Sequence, residues 1–169
     1  MNTFSVWLVP QKEDKEYLDK VIRELAQKYD SPIFIPHITL FVDVKIEEDR
    51  LKSATEEIFS GIKPFVVRKK DLNQSDNFFK TVFIEFEQNE IFKKLYDEFS
   101  IQVEQRDFSL FKPHLSLIYK DTNEDERLNI IKGLNIKDEF KIGSVIINRN
   151  DSNDYKNVEG WKIVYRKDF

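Results

Sequence analysis

Cysteine is absent from the chain, which excludes disulfide bridges, thiolate metal sites and a cysteine nucleophile. The fold must therefore rest on its core, and 169 residues with 40% apolar content suit one compact domain with a core of useful size. A chain without thiols fits a reducing compartment. Long apolar runs are missing too. The opening "MNTFSVWLVPQKEDKEYL" holds far too short an apolar stretch to span a membrane, and it lacks the basic start and small-residue cleavage site of a signal peptide. The expectation is a soluble, cytoplasmic protein with no membrane partner. An excess of positive charge is also lacking. Net charge is −4 and the sequence pI about 5.4, so no basic face broad enough for a long nucleic acid is indicated. Lys and Arg are balanced locally by Asp and Glu, as in "KEDKEYLDKVIREL", which reads as a solvated helix face. A small anionic ligand held by a few donors remains compatible with this composition.

Glycine is scarce, at four residues, and no Gly-rich or Pro-rich linker divides the chain. What is present is a regular alternation of elements. "FSVWLV" reads as a strand ended by Pro10, and Leu18, Val21, Ile22, Leu25 and Tyr29 then recur at helical spacing from about Gln11 until Ser31-Pro32. A second amphipathic helix is predicted from about Glu47 to Ser60, with Gly61 as its C-terminal cap. "FVVRKKDL" and "TVFIEF" read as a hairpin about the polar turn "NQSDN". A third helix is predicted over Glu90 to Val103 and a fourth over Asn123 to Lys132. Two late strands, "FKIGSVIINR" and "GWKIVYRKDF", then flank the turn-rich "NDSNDYKN". The order β-α-β-α-β-β-α-β-α-β-β implies an α+β fold, with residues 1–169 forming a single domain of two interlocked lobes.

Histidine is nearly absent as well, and its placement is the most informative feature of the chain. The two histidines each follow a proline and each stand two places before a hydroxyl: "PHITL" at Pro36–Leu40 and "PHLSL" at Pro113–Leu117. With Pro near one residue in twenty, two accidental Pro-His pairs have a chance of about one in 400. Duplication of a small unit, giving pseudo-twofold symmetry, is the economical explanation. A lone histidine is more often a packing residue than a catalytic one, but here no third histidine is left to supply that ordinary role.

In a strand, residues i and i+2 leave the same face, so His37 points with Thr39 and His114 with Ser116, while Ile38, Leu40, Leu115 and Leu117 point into the core. If both pairs meet in one cleft, one imidazole can take a proton from water while the other protonates a leaving oxygen. The two hydroxyls can donate to the nonbridging oxygens of a phosphate, where charge builds in the transition state. Neither a His-x-x-x-His helix nor a clustered acidic set accompanies the histidines, so neither a metal nor another cofactor is expected.

The paired motif resembles the H-x-[ST]-x signature of the two-histidine phosphoesterase superfamily, and the chain is most similar to the cyclic phosphodiesterases of plants and yeast. The likeness runs nearly end to end, through "FSVWLVP", "FIPHITL", "NFFKTVFI", "FKPHLSLIY" and "EGWKIVY" in that order. It implies a bilobal fold, two pseudo-symmetric lobes of antiparallel sheet with outer helices around a central cleft. It also implies metal-independent hydrolysis of ADP-ribose 1″,2″-cyclic phosphate or nucleoside 2′,3′-cyclic phosphates, with a small cyclic nucleotide as the only partner of a monomer. Under the resemblance His37 and His114 are the acid and base pair, Thr39 and Ser116 the phosphate-binding hydroxyls, and Trp7, Phe79 and Tyr119 aromatic residues of the cleft. Lys80 stands where the family often has Gln, and as a cation it can attract the anionic substrate.

Three of these positions carry an alternative reading. Trp7 is as well suited to the core as to stacking on a base. Phe78 and Phe79 should face opposite sides. Strict alternation from Ser116 turns Tyr119 away from the hydroxyl face unless a bulge intervenes. Trp161 reads as a packing residue of the closing strand, Lys112 and Arg149 as surface charges, and "NRNDSNDYKNVEG" as a solvated loop. Two other functions fit the same motifs: cleavage of 2′-5′ linked or cyclic oligonucleotide messengers or RNA 2′,3′-cyclic ends, and a nucleotide-binding module without turnover.

Overall fold

A computed structural model of the chain describes residues 3–103, 107–151, 154 and 156–169. Its strands are β1 (Phe4–Pro10), β2 (Ile38–Val44), β3 (Phe65–Gln74), β4 (Val82–Phe86), β5 (His114–Ile118), β6 (Glu139–Asn150) and β7 (Trp161–Asp168). The helices are α1 (Lys12–Tyr29), α2 (Glu48–Ile58), α3 (Glu90–Gln102) and α4 (Glu124–Lys132). Their order is the predicted one, and every helix boundary falls within two residues of the expectation. The ends have local causes. Asn89 and Asn123 cap α3 and α4 by accepting the backbone N–H of Phe92 and Glu126, and α1 stops where Asp30 turns left-handed at φ 51°.

All strand pairs are antiparallel, in the order β1-β2-β5-β4-β3-β6-β7. Because β1 also pairs with β6, the first six strands close on themselves into a barrel and β7 extends the sheet along β6. The two histidine-bearing segments adjoin at β2 and β5, which pair through a single residue pair, Ile38 with Leu115, whereas every other strand boundary carries four or more. One face of these strands packs into the apolar core: Val6, Leu8, Ile38, Leu40, Leu115 and Val145 sit in one buried cluster with Leu18 of α1 and Leu51 of α2. The opposite face of β1, β2, β5 and β6 lines a cavity.

The middle hairpin departs from expectation. β3 runs on to Gln74, and Phe78–Lys80 forms a single 3₁₀ turn instead of leading straight into a strand. The cause is side-chain hydrogen bonding. Asn77 caps the turn by accepting the N–H of Phe79, and the buried Thr81 hydroxyl donates toward Phe78 O and Lys120 O, each 2.9 Å away, while accepting the N–H of Lys120 at 3.0 Å. The turn is thereby tied to the end of β5 and set over the cavity.

Candidate active site

Proline explains how each histidine is held. In both motifs the ring Nδ1 lies within hydrogen-bonding distance of the carbonyl two residues upstream: His37 to Ile35 O at 2.6 Å and His114 to Lys112 O at 2.9 Å. The intervening Pro36 and Pro113 have fixed φ and bias the residue before them toward an extended backbone, so both turns into the histidine share one local geometry. A carbonyl only accepts, so Nδ1 carries the proton in both rings and each neutral imidazole presents a free Nε2 lone pair. The two half-sites therefore share one tautomer, fixed by one local device.

Continuing the antiparallel register one residue either way from Ile38 and Leu115 sets His37 beside Ser116 and Thr39 beside His114. Each imidazole thus neighbours the hydroxyl of the other motif across a local twofold. The cavity they line has a volume of about 500 Å³. Trp7, His37, Thr39 and Ser116 lie on its wall, as do Phe79, Lys80, His114 and Tyr119. All eight residues singled out in the sequence are brought together.

Electrostatics separate the two rings. His37 is buried at 7% exposure, and that burial, reinforced by the charge of nearby His114, pulls its pKa down to about 4 against the stabilising contact with Ile35 O. His114 is only half-buried. Burial lowers its pKa as well, Lys80 adds to the effect, and Lys112 O and Glu85 oppose it. The Lys80 ammonium lies 4.4 Å from the centre of the Phe83 ring, and its own pKa is lowered mainly by burial. Among the described residues, no group of three or more His, Asp or Glu side chains is arranged to hold a metal ion.

The hydroxyls differ too. Ser116 donates to Phe79 O at 2.6 Å, which anchors the 3₁₀ turn, whereas the Thr39 hydroxyl has no hydrogen-bond partner among the described residues. Thr39 is therefore free to donate to a ligand without breaking a bond inside the protein.

A family model described as "Cyclic phosphodiesterase-like protein" matches residues 1–166. The chain belongs to that family. It is accordingly a phosphodiester hydrolase of the two-histidine phosphoesterase superfamily. A cyclic phosphodiesterase of Arabidopsis thaliana is 23% identical, the match covering 96% of this chain and 93% of the plant protein. Among solved structures, Escherichia coli LigT in apo form superposes with a TM-score of 0.62 at 12% identity, covering 99% of this chain and 96% of LigT. A Thermus thermophilus protein gives a TM-score of 0.64 at 13% identity, covering 99% and 97%. At such identities the structures speak for the fold alone. No helix among the described residues is long and apolar enough to cross a membrane.

In this cyclic phosphodiesterase-like protein the aromatic residues divide by task. Trp7 is 4% exposed and stacks flat on His37, with ring centroids 3.8 Å apart and planes at 13°. That face of the indole is occupied, and we infer that Trp7 positions the imidazole rather than stacking on a ligand with this face. Replacing Trp7 by leucine should remove the stack and admit water, so that the His37 pKa rises toward 6.5 and kcat falls about 10-fold or more. An NMR titration in which His37 stays unmoved would refute that role.

Tyr119 does reach the cavity. The register shift between Val82/Ile118 and Phe83/Ser116 is a bulge that resets the alternation at the end of β5. Its ring stacks on Phe34 at 3.6 Å and meets Phe79 edge-on at 5.2 Å, and burial pushes its hydroxyl pKa up. Phe79 lines the cavity, while Phe78 packs beside it at 5.0 Å, edge to face. Trp161, expected to be a packing residue, lines the cavity as well, 5.0 Å from Trp7 and 6.1 Å from Phe79. Sequence reasoning also missed Ser5, Asn148 and Asn150. For Ser5 a signal existed, since it stands two places before Trp7 and shares its face of β1.

Proposed function

We propose that the cavity opens the cyclic phosphodiester of a small nucleotide, ADP-ribose 1″,2″-cyclic phosphate or a nucleoside 2′,3′-cyclic phosphate, to a monoester. The observation that carries this reading is the pair of Nε2 atoms, equivalent in tautomer, directed into one cavity with a hydroxyl beside each. Water attacks phosphorus, and one imidazole takes its proton as the new P–O bond forms. The ring P–O bond breaks, and the departing oxygen receives the proton held by the other imidazole. Proton count and charge balance with no further reactant.

The environments support one assignment of the roles. His37 is the more buried ring and has the lower pKa, so it is neutral and acts as base. A single proton shared by the pair resides on His114, which acts as acid. Thr39 donates to a nonbridging oxygen, Ser116 donates to the other on exchanging its bond to Phe79 O for the ligand, and Lys80 offsets part of the phosphate charge. A volume of about 500 Å³ suits one small nucleotide.

The test is hydrolysis of a panel of cyclic phosphates in the presence of EDTA, read across pH. The expected kcat/KM profile is a bell whose acidic limb lies near 4, where His37 gains its proton, and whose alkaline limb lies below 6.5, where His114 loses its own. Bound phosphate stabilises both imidazoliums, so the kcat profile should sit at higher pH than that of kcat/KM. Unfolding must be followed in parallel. The unfolded chain protonates this histidine near 6.5 and the folded one only near 4, so the folded state loses about 3 kcal/mol as pH falls through that window. A flat profile between pH 5 and 8, or no turnover of any cyclic phosphate, sinks the proposal.

A further inference from the structure

The wall beyond Trp7 changes from aromatic to polar. Ser5 lies two residues from Trp7 on the same face of β1, and its partner in β6 is Asn148. Asn148 is buried, at 3% exposure, yet its side chain lines the cavity and its amide oxygen Oδ1 has no hydrogen-bond partner. An unsatisfied buried amide is costly unless a ligand completes it. Thr3 and Asn150 extend this wall.

The wall suits an uncharged group. Among the described residues lining the cavity Lys80 is the only Lys or Arg, and it belongs to the opposite side with His114. Near Asn148 the nearest cation in sequence is Arg149. Successive residues of a strand face opposite ways, and Arg149 is bound to Glu48 at 2.9 Å and to Asp151 at 2.5 Å. Asp43, held at φ 56° on β2, adds a negative charge to the lining. A second phosphate on this side would therefore meet a carboxylate and no available cation, which favours a nucleoside 2′,3′-cyclic phosphate over the diphosphate-bearing ADP-ribose 1″,2″-cyclic phosphate. The distance also fits. β6 lies two strands from β2, about 10 Å across the sheet from the His37–Thr39 ladder, which is the reach of a ribose and its base from phosphorus.

We propose that Asn148, seconded by Ser5, hydrogen-bonds the donor–acceptor edge of a nucleobase and so determines which nucleotide the enzyme accepts. The proposal rests on the reading of the cavity as a cyclic-nucleotide site. An amide presents one donor and one acceptor side by side, the pattern that pairs in bidentate fashion with a base edge.

Two readouts test it. The first is kcat/KM on nucleoside 2′,3′-cyclic phosphates relative to glycerol 1,2-cyclic phosphate, which keeps the reacting ring and has no base. The second is calorimetric affinity for nucleoside 3′-monophosphates relative to ribose 3-phosphate. Asn148→Leu should reduce both ratios by about 10- to 100-fold. Asn148→Asp removes the donor and keeps the shape, so it should move base preference toward guanine, whose Watson–Crick edge offers two adjacent donors. An equal loss on base-bearing and base-free probes, an unchanged order of base preference in Asn148→Asp, or a wild-type protein that does not distinguish nucleotides from ribose 3-phosphate overturns the assignment. Asn148-dependent nucleotide binding by a protein that hydrolyses none of the cyclic phosphates would uphold the subsite and defeat the hydrolytic reading instead.

Discussion

His114→Ala is expected to lower kcat by about 10² to 10⁴, the span that general acid catalysis contributes. This ring is the cleaner of the two to remove. It is half-buried, and its aromatic neighbour, Phe83, meets it at 5.5 Å and 69° without covering its face. Loss of its proton leaves the departing oxygen as an alkoxide, while water, hydroxyl donors and Lys80 stay in place. His37→Ala should cost a similar factor, but it also strips the stack from Trp7 and opens a hole under the indole, so part of its effect will show in Tm. The double variant should be little worse than either single one, because an acid without its base already fails. Rates with saturating substrate, with folding checked by circular dichroism, decide the matter; more than a tenth of wild-type kcat in His114→Ala would falsify the pairing.

Thr39→Val is the second large effect. Valine matches threonine in shape, and the hydroxyl it deletes has no partner among the described residues, so no internal bond is lost with it. The whole penalty should fall on the transition state: kcat lower by on the order of 10², KM little changed and Tm within a degree or so of wild type. Ser116→Ala should behave differently. Its hydroxyl donates to Phe79 O, so the alanine removes that bond at a cost of about 1 kcal/mol and loosens the turn that carries Phe79 and Lys80. A fall in Tm together with a rise in KM should accompany its loss of kcat. Identical kinetic and thermal profiles for the two variants would show that the hydroxyls are not divided in this way.

Much of this site was legible before any coordinates. Period-two alternation suffices to put His37 with Thr39 and His114 with Ser116, because β2 and β5 have one face in the core and any slip would bury the polar set. The meeting of the two motifs rested on their repetition, and the Ile38–Leu115 pair is the contact that brings them together. What escaped the sequence involves departures from regular geometry or burial on both faces. Tyr119 is placed at the cleft by resemblance and not by alternation, because it depends on a bulge whose extra residue leaves no mark in composition. The Phe78–Lys80 turn depends on Asn77 and Thr81 bonding to backbone rather than on the apolar pattern. Asn148 ends the stretch 142–148 of β6, every residue of which is buried, so burial on both faces concealed which side faces the cavity. Trp161 escaped for another reason: an aromatic residue opening a strand carries no sign of which neighbour its ring will meet.

The lone Ile38–Leu115 pair has a mechanical consequence. Long ladders tie the rest of the closed sheet together, so opening the barrel should cost least along the line between β2 and β5, where the fewest backbone pairs resist it. Under the proposed hydrolysis the phosphorus would sit across the join held by the fewest backbone pairs, and a ligand gripped from both sides would act as the missing rungs.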